Sequence, residues 1–275
     1  MEFNQETSQL FDRSLGHEEY KRLIEELKKS CAQFTKVLFP SENVNLDFPN
    51  LRDTTSVYCE GKEIKVNKQL LFLINSHLTQ KYLNDSLMFN DIAEELIRKS
   101  FNSIRELVIE FVILHEISHI YLEHLKIKND NEKYEYYKES IEFDADRRAA
   151  NLLFGKFLMK IRKSGIKDYK PLIEKFIYFL FEVIYIIYQQ NKDNCNYPDL
   201  YILKRMTIIS TAFCEIIFKD INQEITDIPI FEIKEIIIGS VMKFMRVINT
   251  NFRITESEKL DLKAFVKLYL EKSTL

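Results

Sequence analysis

The sequence predicts a mainly α fold (α+β), a helical domain with one small β-sheet ahead of its central helix. Three features point there. Gly and Pro are scarce, 5 of each in 275 residues, so long uninterrupted helices are the expected solution. Apolar residues recur at helical spacing along most of the chain. One stretch alone, residues 40–67, has the turn-rich, β-prone texture of strands.

In chain order, residues 17–38 carry a helical stripe of Leu23, Ile24, Leu27, Cys31 and Phe34. Pro40, Pro49 and Gly61 then change the texture. NVNLDF and TSVYC are β-prone, and Glu60-Gly61-Lys62 can turn a hairpin into EIKV. Helices are expected at about 68–80, 101–126, 132–163, 170–190, 199–219, 230–248 and 256–272. The linkers are short and polar, so one domain over 1–275 is expected. A looser subdivision falls at Ser164-Gly165, where a Gly follows a long helix. It separates a core of 1–164, with both motif helices, from a helical 165–275.

Composition excludes several classes. Apolar residues make up 46% and charged residues 29%, the balance of a soluble globular protein. A net charge of −3 argues against a nucleic-acid binder or a polybasic membrane surface. The run from Phe176 to Tyr188 holds 13 residues with Glu182 inside it, too short to span a bilayer. Within it Phe176, Phe179, Phe181 and Tyr185 read as a core stripe. Cys31, Cys59, Cys195 and Cys214 show no C-x-x-C pairing and read as reduced thiols. No secretory signal is visible at the N-terminus. A cytoplasmic protein is the expectation.

The chemistry sits in His115-Glu116-Ile117-Ser118-His119, an H-E-x-x-H. Residues i and i+4 share a helical face with Cβ atoms ~6 Å apart. Two imidazoles so placed can converge on one Zn²⁺ at ~2.0–2.1 Å. Glu116, one step round the helix, can reach a water at that ion without ligating it. Ile104, Leu107, Val108, Phe111, Val112 and Leu114 precede the motif without Gly or Pro. Polar groups inside so apolar a helix need buried partners, which a metal would supply.

A catalytic zinc needs a third protein ligand and an open position. Glu142 lies 23 residues after His119, with Asp146 four residues further on. Glu142 as ligand is the economical assignment, with Asp146 accepting the free ring N–H of a ligating His. Glu139 and Asp144 are nearby alternatives, Asp144 being turned about 200° from Glu142 on an ideal helix. His124, five residues after His119, points about 140° away from it on such a helix and reads as a surface residue. His17 and His77 look unremarkable. Arg147 and Arg148 read as surface ion-pair residues. The Tyr-rich EKYEYYKES reads as an exposed face.

H-E-I-S-H followed by E-F-D-A-D-R-R-A resembles the gluzincin pattern, H-E-x-x-H and then E-x-x-x-D on a second helix. It is similar to the HtpX-like and CAAX-prenyl-protease group and to related soluble phage-exclusion peptidases. The resemblance covers about 45 residues, 105–150. It implies His115, His119 and Glu142 as zinc ligands, Glu116 as general base and Asp146 as orienting carboxylate. Those relatives carry a later H-P-x-n-R element. Here Tyr197 stands where His would be, and the spacing to Arg205 is longer. On that alignment Tyr197 donates to the developing oxyanion and Arg205 supports the site. The membrane-embedded members have spanning helices beside the motif. Their lack here points to the soluble, phage-exclusion side.

The implied function is zinc-dependent cleavage of a protein or peptide substrate. Zn²⁺ lowers the pKa of its water toward ~7 and polarises the carbonyl. Glu116 takes the water proton and passes it to the leaving amine. The substrate is expected to add as a strand along TSVYC or EIKV. Two other readings differ in class. One is a zinc-binding regulator on the same scaffold with little turnover, and the other a helical interaction protein whose motif is accidental.

Overall fold

A computed structural model describes residues 17–41, 43–49, 57–85, 91–128, 130–164, 169–191 and 198–220, with isolated helical positions at Glu235, Gly239, Ser257, Leu260 and Ala264. The described part is mainly α with one three-stranded sheet, as the sequence predicts. In chain order it runs α1 (His17–Leu38), β1 (Asn45–Asp47), β2 (Val57–Glu60), β3 (Glu63–Val66), α2 (Lys68–Asp85), α3 (Asp91–Tyr121), α4 (His124–Lys128), α5 (Asn131–Ser164), α6 (Lys170–Asn191) and α7 (Pro198–Asp220). The helices expected at 230–248 and 256–272 otherwise lie outside the described residues.

The sheet is where the β-prone stretch puts it. β2 and β3 pair antiparallel from Val57↔Val66 to Glu60↔Glu63, which leaves Gly61-Lys62 as a two-residue loop. Gly61 adopts φ 60°, a conformation that glycine takes without a Cβ penalty at the first loop position. β1 joins the other side of β3 in parallel, so the order is β1-β3-β2 and β2 lies at an edge. Ile64 and Val66 of β3 are fully buried and face the helices.

α3 is the central element. It packs against α1, α2, β2, β3, α5 and α6, so its stretch from Ile104 to His119 is buried nearly all round. Ile104, Leu107, Val108, Phe111, Val112 and Leu114 are all buried. The helix starts ten residues before the expected 101 and stops at Tyr121 instead of running to 126. Leu122 and Glu123 form a turn, with Glu123 at φ 57°, and α4 starts on a new axis. No Gly or Pro marks this break, which is why helical periodicity alone reads straight through it.

α5, 34 residues long, lies along α3 and carries α7 on another side. Phe154 and Phe157 of α5, Phe176 of α6 and Phe213 of α7 form one aromatic cluster. In it the Phe157 and Phe176 rings stack at 4.1 Å. Phe176, Phe179 and Phe181 are completely buried and Tyr185 partly so, a core stripe. Arg147 clamps Glu215 of α7 at 2.6 and 3.1 Å, while Arg148 lies over the Tyr121 ring. Tyr136 and Tyr137 stand exposed on α5.

His77 has more to do than its polar surroundings in sequence imply. Its Nε2 lies 2.6 Å from the buried Glu182 carboxylate of α6, and Lys81 Nζ lies 3.2 Å from the other oxygen. Burial pushes the Glu182 carboxyl up, but the His77 hydrogen bond and the Lys81 charge outweigh it and hold it below its ordinary 4.5. A depressed folded-state value means stabilisation that is present above the ordinary value and lost as pH falls through the folded one. Glu182→Gln is therefore expected to lower the melting temperature at neutral pH. The gap to wild type should close below about pH 4.5, and thermal melts between pH 7 and 3.5 check it. A gap independent of pH would refute the pairing.

Candidate metal centre

The last turns of α3 and the first half of α5 lie side by side, and their polar residues meet in an otherwise apolar layer. His115, Glu116 and His119 are all buried, as is Asp146, while Glu142 is half-buried. His115 and His119 are one turn apart, and their Nε2 atoms lie 3.1 Å from each other. Glu142 Oε2 lies 3.1 Å from His115 Nε2, and its Oε1 3.5 Å from His119 Nε2. The three residues form a group able to hold a metal ion. The rival acids are elsewhere. Glu139 is exposed with its carboxylate toward Lys204, and Asp144 is exposed on the far side of α5.

Behind His115 stands Asp146, with Oδ1 2.9 Å from the ring Nδ1. The alignment falls short of a hydrogen bond, and a small ring rotation would complete one. Asp146 also accepts two bonds from Arg205 of α7, Nε at 2.6 Å and Nη2 at 2.7 Å, a bidentate pair. Arg205, Asp146, His115 and Glu142 thus form one chain of contacts across three helices. Tyr197 lies outside the described residues.

The electrostatics follow from this chain. Burial pulls the His115 ring down, yet the adjacent Asp146 and Glu142 carboxylates prevail and bring it up to about 9. Burial would raise the Glu142 carboxyl, but the two imidazoles hold it well below the usual carboxylate range. Asp146 is likewise raised by burial and lowered further by the Arg205 guanidinium. His119 is depressed, chiefly by burial.

A cavity of about 120 Å³ opens at the donors and is lined by His115, Glu116, Glu142 and Arg205 at its polar end. Val57 of β2, Leu70 of α2, Phe111 and Val112 of α3, and Ile184 and Ile187 of α6 make its apolar walls. A reacting group there would be shielded from water on one side and meet two carboxylates, the His115 imidazole and a guanidinium on the other.

One neighbour escapes sequence reasoning. His124, expected at the surface, is buried, with Nδ1 2.9 Å from His119 Nδ1. The turn at Glu123 carries it back under α3, and nothing in YLEHL signals that turn.

Among the described residues no helix is long and apolar enough to cross a membrane. No curated protein and no solved structure matches the chain. Residues 69–207 match the family Peptidase U49. That span is just over half of the chain, and it takes in the motif helix, its partner helix and Arg205. With a polar cluster of this make-up inside the matched span, the chain belongs to the Peptidase U49 family and is a peptidase.

Proposed function

We propose that the protein is a zinc-dependent endopeptidase of gluzincin type, with His115, His119 and Glu142 as ligands and Glu116 as general base. The observation that carries the reading is the spacing of the three donors, 3.1, 3.1 and 3.5 Å. A tetrahedral ion with bonds of ~2.0–2.2 Å holds its ligands about 3.3–3.6 Å apart. Two neutral imidazoles and a carboxylate are also the donor set of a catalytic rather than a structural site. The residues fit the ion.

Zinc, when bound, would acidify a water and polarise the scissile carbonyl. The rest falls to the chain. Glu116, at the cavity wall beside His115, takes a proton from the attacking water and returns it to the departing amine. Asp146 holds the His115 ring with Nε2 turned to the donor point, and Arg205 holds Asp146. Strand β2, at the edge of the described sheet and with Val57 lining the cavity, offers its side away from β3 to an extended peptide. The likeness of the motif helices to soluble phage-exclusion peptidases supports a narrowly targeted defence protease over a broad housekeeping one.

Metal analysis of the purified chain tests the ligand set. One zinc per chain is expected in the wild type, with stoichiometric loss in His115→Ala and in Glu142→Ala. Glu139→Ala should retain the ion. A zinc content unchanged in Glu142→Ala would sink the assignment.

A further inference from the structure

His119 is engaged at both ring nitrogens. Nε2 faces His115 and Glu142, while Nδ1 lies 2.9 Å from Nδ1 of His124. The two rings cross at 67° with centroids 5.1 Å apart, and both side chains are buried. Two ring nitrogens facing each other at that distance share one proton, so one donates and the other accepts. The contact is not a product of helical spacing, since position i+5 points about 140° away from i on a continuous helix. It exists because α3 ends at Tyr121 and Glu123 takes the left-handed φ of 57°. Leu122 N–H bonds Ser118 O at 2.9 Å and Glu123 N–H bonds Ile120 O at 3.1 Å, closing the helix before the chain turns. An uncommon backbone conformation at a glutamate is thus spent on bringing His124 inward.

We propose that His124 is a positioning residue for His119, accepting the His119 Nδ1–H so that the Nε2 lone pair stays aimed at the metal point; the inference rests on the zinc reading above. The two imidazole ligands are then oriented by unlike partners. His115 is backed by the anionic Asp146, and His119 by a neutral imidazole. The arrangement fixes the tautomer of each ligand without adding a further carboxylate behind His119. It also fixes His124 itself with its proton on Nε2.

The test is the equilibrium zinc affinity of the full chain, read by competition with a chromophoric chelator. It is accompanied by the visible spectrum of the cobalt-substituted protein. His124→Leu is expected to weaken zinc 10–100-fold, the size of effect seen when a ligand loses its orienting partner, and to shift the cobalt bands. His124→Asn places an amide oxygen near the former Nδ1 and should restore both toward wild type. Equal affinities in all three proteins would overturn the proposal while leaving the zinc reading intact. So would equal weakening in both variants, the mark of packing alone. A wild type that binds no zinc would overturn both. Ring ¹⁵N spectra of the zinc-loaded wild type serve even if a variant fails to fold. His119 protonated on Nδ1 and His124 on Nε2 is expected, and the opposite tautomer at His124 overturns the assignment.

Discussion

Replacing Glu116 with Gln is expected to leave one zinc per chain and to slow peptide-bond cleavage by about 10²–10⁴-fold. The two side chains have nearly the same shape, so packing at this buried site in the cavity wall is preserved. What is lost is a group that can take a proton from water and hand it to the leaving amine. Metal content by elemental analysis and new N-termini in cells expressing wild type or Glu116→Gln give the two readouts. Retained zinc with no new termini in the variant is the signature of an enzyme. A zinc-binding regulator would show the same biological effect from both proteins. Cleavage within about tenfold of wild type would remove Glu116 from the base role.

Asp146→Ala carries the largest expected cost in stability. Asp146 is fully buried and receives two bonds from Arg205 as well as the approach of His115 Nδ1. Its removal strands a largely buried guanidinium, and breaking one side of a buried pair costs about 3–5 kcal/mol. At ~2–4 °C per kcal/mol the melting temperature should fall by roughly 6–20 °C. Zinc affinity should drop 10–100-fold in parallel, because His115 loses its orienting acceptor. The double variant Asp146→Ala/Arg205→Met separates the two effects. Removing the stranded charge should recover much of the melting temperature and none of the zinc affinity. A double variant that recovers both would show that Asp146 serves stability alone.

Much of this was legible in the residues themselves. Sparse Gly and Pro and apolar periodicity announced the helices, and EGK between two β-prone runs announced the hairpin. The peptidase reading came from H-E-x-x-H followed by E-x-x-x-D, and the family match agrees with it at that level. The misreadings were of one kind. The helix expected over 101–126 begins ten residues earlier and ends five residues sooner, and a continuous helix would put His124 at the surface, where it is not. His77 looked unremarkable because its partner, Glu182, is 105 residues away.

By itself the sequence determined what local geometry can carry: which segments are helical, and that His115 with His119, and Glu142 with Asp146, each share a face. That follows because a helix repeats every 3.6 residues whatever surrounds it. Only the tertiary structure decided which acid of α5 meets the imidazoles, that Arg205 closes on Asp146 across 59 residues, and that the chain reverses at Glu123 to bury His124. The rotation of one helix against another is set by the burial of whole apolar faces, summed over many distant residues. No short window of sequence contains that sum.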